Sequence, residues 1–284
     1  MKIFVTGATG KVGSRFVPYL LEQGHAARIL VRNPERALAL KEQGAEVVLG
    51  DLLDNGNLTE AIRGVDAVVH IAAQFRGGVS EEVAQAVNLD ATIALAKAAL
   101  EAGVTRFVFT STGNVYRDMN VNRPCKEDDI LMPAKLIYPK TKIDAEEGLL
   151  TLNREQGLDI RTLRLAFVYG DRDPHIEEIL PYMINWNPLK QLSLIHHEDI
   201  SQALLLAASV PGIGGRIYNV ADDKPITIGE LFQLYGGSEQ VPTKDGWLMS
   251  NLWELTVDTE RIRNELNFHP KYPSIYTARD MGAL

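Results

Sequence analysis

The stretch KIFVTGATGKVG, residues 2–13, decides the reading of the chain. An apolar run, KIFV, leads directly into three glycines at positions 7, 10 and 13, and an amphipathic segment follows over residues 12–23. A short strand, a glycine-rich turn and a helix together open a strand–crossover–strand unit, because a crossover helix is what returns the chain to the same sheet in parallel. In such a turn Gly7 permits the tight exit from the strand, Gly10 lets backbone approach a pyrophosphate, and Gly13 lets the helix pack on the strand. The positive end of the helix then faces the phosphates. Thr9, Lys11 and Val12 complete the candidate turn. The spacing is G-x-x-G-x-x-G rather than G-x-G-x-x-G. A nucleoside triphosphate loop fails, since Val5 occupies the place of its first glycine and Val12 the place of its magnesium-binding Ser or Thr.

Outward from this turn the alternation continues. Strands are expected over residues 2–6, 26–31, 45–50, 66–72, 106–111 and 159–168, with helices near 12–23, 35–43, 57–63, 81–102 and 139–156. The fold class is therefore α/β: a Rossmann-type doubly wound parallel sheet, with ligands expected beyond the carboxyl ends of its strands. After Gly170 the rhythm changes, with Pro174, Pro181 and Pro188 interrupting it. HEDISQALLLAA then reads as a helix with Asp199 as its N-cap, RIYNV (216–220) as a strand, and short helices near 227–235 and 258–266 as the remainder. Residues 1–169 and 196–221 are expected to form the dinucleotide-binding domain. Residues 170–195 and 222–284 are expected to form a small substrate-binding lobe.

Composition narrows the partners. The 284 residues are 45% hydrophobic and 23% charged, values of a globular chain with a substantial core. The 29 basic and 37 acidic side chains give a net charge of −8 with no basic run, which argues against nucleic acid. No apolar run approaches the roughly 18 residues of a membrane span, and MKIFVTG meets its glycine too early to suit a signal peptide. A cytoplasmic location and no membrane partner are the expectation. The single cysteine, Cys125, reads as a loop thiol.

The second strand ends LVRNPER. Arg32 stands where a carboxylate would accept the ribose hydroxyls of NAD, and Arg36 follows four residues later, in a helix capped by Asn33 and opened by Pro34. Two guanidiniums there suit a 2′-phosphate, so NADP is the expected cofactor, with NAD as the alternative. The fifth strand ends FVFTSTGNVY, and IYPKTK follows at 137–142. Tyr138 and Lys142, four apart, share one helix face. A phenol becomes a useful acid or base when a neighbouring cation favours its anion, a role for Lys142; Lys140 is expected to point into solvent.

TGATGKVG, Asp51 of LGDLLD, IAA (71–73), FTSTGNVY, YPKTK and RLAFVYG occur in the order and spacing of the short-chain dehydrogenase/reductases. The chain resembles their extended branch, the NAD-dependent epimerase/dehydratase family; HHEDI, IYNVADD and VDTERI extend the resemblance through the carboxyl half. The resemblance implies that Tyr138 is the general acid/base, that Lys142 holds the nicotinamide ribose and lowers the phenol's pKa, and that Thr112 hydrogen-bonds the reacting oxygen. It further implies that Asp51 and Leu52 contact adenine, that Ala72 and Ala73 line the cofactor, and that Asn88 lies near the site. For Ser111 and Asn88 a strand-end hydroxyl and a satisfied helix amide are equal readings. A homodimer built on the helices over 81–102 and 139–156 is the assembly the resemblance implies.

One position departs from the pattern: Phe167 stands where sugar-nucleotide members often carry Asn. A small-molecule carbonyl or secondary alcohol is thus the first expectation for substrate, with sugar-nucleotide epimerisation or dehydration as the alternative. A non-catalytic NADP-sensing regulator is the reading from another class. His196-His197-Glu198-Asp199 lacks a third ligand at metal-site spacing, so no metal is expected. Tyr169, Arg172 and His175, with Trp186, Trp247 and Trp253, are further candidates for substrate contact.

Overall fold

The structure is a computed structural model that describes residues 1–75, 80–117, 119, 121–236, 251–253 and 255–284. Trp247 and most of the loop LYGGSEQVPTKDG lie outside the described residues. The chain divides into two compact units. Unit 1 comprises Met1–Thr112, Ala134–Arg164 and Ile200–Tyr218, and unit 2 comprises Gly113–Pro133, Leu165–Asp199 and Asn219–Leu284.

The apolar runs of the first half become β1 (Lys2–Thr6), β2 (Ala26–Val31), β3 (Glu46–Leu49), β4 (Ala67–His70), β5 (Arg106–Thr112) and β6 (Asp159–Leu165). With β10 (Arg216–Val220) they form a seven-stranded sheet in the order β10-β6-β5-β4-β1-β2-β3. From β3 across to β5 every neighbouring pair is parallel, with Val5 of β1 opposite Ile29 on one side and Val69 on the other. Ile3, Phe4 and Val5 are wholly buried, as a central strand covered on both faces requires. The strand order reverses at β1 and β4, which is where such a sheet opens a crevice at its carboxyl edge.

The helices of unit 1 are α1 (Gly13–Glu22), α2 (Leu38–Glu42), α3 (Leu58–Ile62), α4 (Glu81–Gln85), α5 (Ala91–Glu101) and α6 (Ile137–Gln156). Ser80 caps α4 by accepting the Val83 N–H, and a π-helical turn over Ala86–Asp90 joins α4 to α5 without a break. Leu95, Ala99 and Leu149 from these helices pack with Phe4, Phe107 and Phe109 of the sheet into one core. The continuous helix Glu81–Glu101 is, by length and composition alone, apolar enough to cross a membrane, and 44% of its most apolar stretch is buried inside the protein. Asp90 and Lys97 break the run without lowering the average enough, and the helix's buried face belongs to the core just described.

Unit 2 holds two small sheets. In one, β7 (Phe167–Tyr169) pairs in parallel with β9 (Leu194–His196); in the other, β8 (Gln191–Leu192) pairs antiparallel with β11 (Ile226–Thr227). With them come α7 (His175–Met183), α9 (Ile228–Leu234), α10 (Glu260–Leu266) and α11 (Ile275–Asp280), while α8 (His197–Ser209) begins in this unit and ends in unit 1. Tyr169, Ile176, Leu194, Leu231 and Ile275 are among its core residues.

Several expectations are corrected here. The run 159–168 is two strands, parted at Ala166, whose N–H donates to the Val220 carbonyl. The prolines near 174 and 181 do not exclude a helix: Pro174 sits just before α7, and Pro181 lies within its last turn. Asp199 is not an N-cap. It stands in the first turn of α8 and accepts the backbone N–H groups of Lys271 and Tyr272 at 2.6 and 3.2 Å. Cys125 is wholly buried and bridged to Val257, its N–H donating to the Thr256 carbonyl.

Candidate active site

The glycine turn follows β1. Gly7 has φ +72°, and a Cβ there would lie 2.6 Å from the Ala72 nitrogen, so both the conformation and the space exclude a side chain. A Cβ on Gly13 would lie 2.2 Å from the Gly7 carbonyl oxygen. The glycine at the start of α1 therefore fits the helix against the turn itself, not against the strand. Gly10 is exposed, with its N–H donating to the Gly7 carbonyl at 3.0 Å, and Ser14 N–H closes on the Gly10 carbonyl at 2.9 Å. Thr9 and Val12 are half-buried and Lys11 is exposed. This cradle, which side chains would fill, suits the diphosphate of a dinucleotide.

Around it stand the other expected contacts. Asn33 caps the helical turn that begins at Pro34, accepting the Glu35 N–H at 2.9 Å. That turn brings the Arg36 guanidinium to 3.5 Å from the Thr9 carbonyl. Arg32, at the end of β2, is exposed and makes no hydrogen bond or ion pair among the described residues. Asp51 Oδ1 accepts the Leu53 N–H at 3.0 Å, and Leu52 packs partly against the core. Ala72 is half-buried and Ala73 exposed beyond β4.

Asn88, on the π-helical turn, is wholly buried. Its Oδ1 accepts the Gln74 N–H at 2.7 Å, and its Nδ2 donates to the Gln74 carbonyl at 3.0 Å and to Thr141 Oγ1 at 3.1 Å. Both amide donors are thus used within the protein, and the loop after β4 is tied to α6. Of the two sequence readings of Asn88, the geometry is that of a satisfied amide. Ser111 is buried at the end of β5, and its hydroxyl makes no hydrogen bond among the described residues.

Beneath this tie lies a residue that the sequence reading missed. His70, wholly buried at the end of β4, bridges Thr6 Oγ1 at 2.7 Å and Thr92 Oγ1 at 2.9 Å. Burial, assisted by the Lys142 charge, lowers its pKa to about 3, so it is neutral and donates one bond while accepting the other. A polar side chain in the otherwise apolar run AVVH was the available signal.

Thr112, Tyr138 and Lys142 meet where β5 ends and α6 begins. Tyr138 occupies the second position of α6 and hydrogen-bonds the Thr112 side chain. Lys142, one turn on and wholly buried, donates to the Thr110 carbonyl at 2.8 Å. Its nitrogen lies 4.5 Å from the Phe109 ring centre and 6.0 Å from that of Tyr138. Burial raises the phenol above its ordinary value, while the Thr112 hydrogen bond opposes the rise. Burial lowers the Lys142 ammonium to about 7, against the pull of Glu146. Burial of both groups therefore acts against the expected depression of the phenol's pKa by Lys142. Lys140, expected in open solvent, pairs across the surface with Glu81 at 3.0 Å.

Residues 3–221 match the model of the NAD dependent epimerase/dehydratase family. The chain belongs to that family. Among curated relatives, cinnamoyl-CoA reductase 1 of Petunia hybrida is 35% identical over 237 residues, 75% of this chain and 71% of that protein. A 4-hydroxy-2-methyl-3-oxo-4-farnesyl-3,4-dihydroquinoline-1-oxide ketoreductase of Stigmatella aurantiaca is 29% identical over 82% of this chain and 72% of its own length. A short-chain dehydrogenase/reductase superfamily protein of Agrobacterium tumefaciens, solved with bound NAD, superposes with a TM-score of 0.79 at 27% identity, covering 99% of this chain and 95% of that one. A dTDP-glucose 4,6-dehydratase of Streptomyces venezuelae, at 24% identity and a TM-score of 0.80, covers 99% of this chain and 97% of its own and shows the shared fold. As a member of this extended short-chain dehydrogenase/reductase family, the protein is an NAD(P)-dependent enzyme of the oxidoreductase or epimerase/dehydratase kind. The reading as a non-catalytic regulator is overturned by that membership.

In unit 2 of this family member, the remaining candidates go to separate partners. His196 Nε2 donates to the Ala283 carbonyl at 2.9 Å, His197 Nε2 lies 2.8 Å from Asp173 Oδ2, and Glu198 pairs with Lys271 at 2.7 Å. Tyr169 is wholly buried and edge-on to His196, so it supports the lobe and does not present a surface to substrate. His175, buried at the start of α7, is likewise structural in position, whereas Arg172 is exposed with φ +58°. Trp186 carries cations over its ring, Arg117 at 5.3 Å and Lys190 at 5.0 Å; Trp253 is half-buried.

Proposed function

We propose that the protein is an NADP-dependent carbonyl reductase, or secondary-alcohol dehydrogenase in the reverse direction, with Tyr138 as its acid/base. The observation that carries this reading is the hydrogen bond between Thr112 and the Tyr138 phenol, with Lys142 one helical turn away. A bound nicotinamide dinucleotide would supply the hydride for the carbonyl carbon. The Tyr138 hydroxyl gives its proton to the carbonyl oxygen, so that one C=O becomes one CH–OH. Thr112 holds that oxygen in place through its hydroxyl, and Lys142 holds the ribose hydroxyls. Gly7, Thr9, Gly10, Lys11, Val12 and Gly13 would take the diphosphate, Asp51 and Leu52 the adenine, and Ala72 and Ala73 the face behind the nicotinamide. Asn88 acts by positioning the Gln74 loop.

NADP is preferred over NAD because exposed Arg32 and Arg36 stand at the end of β2, Arg36 within reach of the glycine turn, where a 2′-phosphate would meet two guanidiniums. The reductase reading is supported by relatives named for carbonyl or alcohol redox, among them a 3-beta-hydroxysteroid dehydrogenase of Mycolicibacterium neoaurum, 30% identical over 81% of this chain. Phe167 in place of an amide also weighs against a sugar diphosphate. Unit 2 is assigned the binding of substrate. A cytoplasmic homodimer built on the helices 81–101 and 137–156 completes the proposal.

The test supplies NADPH and a panel of ketones, follows the nicotinamide absorbance, and assays UDP-glucose and dTDP-glucose in parallel. Ketone-dependent oxidation of NADPH supports the reading. Conversion of a sugar nucleotide without net change in the nicotinamide overturns it in favour of internal redox.

A further inference from the structure

Beside the phenol lies a residue with no part in the chemistry above. Phe75 follows the loop tied by Asn88, and its ring stands edge-on to that of Tyr138, with centres 4.9 Å apart and planes at 65°. That is a favoured aromatic geometry, yet 46% of Phe75 remains exposed. A phenyl group partly exposed beside that phenol still has apolar area that a ligand could bury.

The ring is also held in place. One residue back, both the N–H and the carbonyl of Gln74 are bonded to Asn88, whose other donor reaches Thr141, the neighbour of Lys142. Phe75 and the catalytic helix are therefore fixed to one buried amide. Among the described residues, those around the phenol and Lys142 include the Thr112 hydroxyl, the Phe109 ring under Lys142 and Phe75 itself. The ammonium of Lys142 is turned to the Thr110 carbonyl. Such surroundings offer an aromatic edge and a face to whatever framework carries the carbonyl.

We propose that Phe75 is a specificity-determining residue, an aromatic wall that selects ketones whose carbonyl is fused or conjugated to a flat apolar ring. The inference deepens the proposed reductase reading and rests on it. A flat ring gains contact with the exposed part of Phe75 while its oxygen reaches Tyr138 and Thr112. A small aliphatic ketone reaches the same hydroxyls without that contact.

The experiment compares 1-tetralone with 2-butanone, using NADPH and the full chain, for the wild type, Phe75→Ala, Phe75→Trp and Tyr138→Phe. Phe75→Ala is expected to lower kcat/KM for 1-tetralone by about 10-fold or more while changing that for 2-butanone by about 2-fold or less. Phe75→Trp should restore most of the loss, and the NADPH dissociation constant should stay unchanged in both variants. An equal loss on both ketones, chiefly in kcat, would make Phe75 a support for the phenol and overturn the inference, as would no loss on either. Full activity of Tyr138→Phe on both ketones instead removes the parent reading, and the substrate selection argued from it falls with it.

Discussion

The Lys142 ammonium nitrogen lies 2.8 Å from the Thr110 carbonyl oxygen, which ties the buried lysine of α6 to the strand that ends in Thr112. Burial lowers its pKa from 10.5 to about 7, so between those values the unfolded chain binds a proton that the folded protein does not. Stability contributed through this group rises with pH across that window and is least below about 7. Lys142→Met removes the penalty as well as the hydrogen bond. The variant's stability relative to wild type should therefore be most favourable near pH 7 and decline toward pH 10, as followed by urea unfolding of nucleotide-free protein. A difference independent of pH would contradict the buried, depressed ammonium. Activity should fall by about 100-fold or more, since the ribose loses its holder.

Asn88 predicts a separable effect. Asn88→Ala leaves the Gln74 N–H and carbonyl without their partner, a cost of about 1–3 kcal/mol for groups that stay buried. Thermal unfolding should register that loss. The dissociation constant for NADPH should change little and kcat should fall, because the loop bearing Phe75 and the turn bearing Thr141 lose their common anchor. A weakened NADPH affinity with unchanged kcat would place Asn88 against the cofactor itself.

The glycines separate fold from binding. Gly13→Ala places a methyl group 2.2 Å from a backbone oxygen, an overpacking that costs about 1–3 kcal/mol and should lower Tm and nucleotide affinity together. Gly10→Ala meets only the Gly7 carbonyl, at 3.2 Å, and the position is exposed. It should leave Tm nearly unchanged while weakening NADPH binding, because the methyl group would occupy the approach to the diphosphate. Differential scanning calorimetry paired with fluorescence titration distinguishes the two patterns. Equal behaviour of both variants would argue against the turn as the phosphate cradle.

How far the sequence carried varies from element to element. KIFVT and RIYNV became strands at the residues expected, because an apolar run between turn residues suits one covered strand position. HIEEILPYM was misread because Pro181 was weighed as a breaker, although it falls in the final turn of α7, where little helix remains to disrupt. Asp199 was misread because its partners, the N–H groups of Lys271 and Tyr272, lie more than seventy residues downstream, and local spacing holds no trace of such a contact. At the site, Tyr138 and Lys142 were legible as an i, i+4 pair, since a helix fixes that relation by itself. The direction of their pKa shifts was not legible, because desolvation depends on every element that covers them. His70, bonded to hydroxyls on β1 and α5, was hidden for the same reason.

The two arginines make the cofactor preference testable. Replacing Arg32 by Asp should weaken NADPH binding by about 10- to 100-fold and strengthen NADH binding, as the charge at the end of β2 reverses. Arg36→Ala should weaken NADPH less, since Arg36 also leans on the Thr9 carbonyl. Isothermal titration with both nucleotides measures this. Unchanged NADPH affinity in the Arg32 variant would remove the basis for preferring the phosphorylated cofactor.

The most direct test of the proposed chemistry is a comparison of Tyr138→Phe with the wild type, measuring NADPH binding and ketone-dependent NADPH oxidation on the same preparations. The expected result is an NADPH dissociation constant within about 2-fold of wild type and turnover lower by about 100- to 10,000-fold, the range for loss of a positioned proton donor. Turnover close to wild type, with NADPH still bound, would contradict the assignment of the phenol as the group that moves the proton.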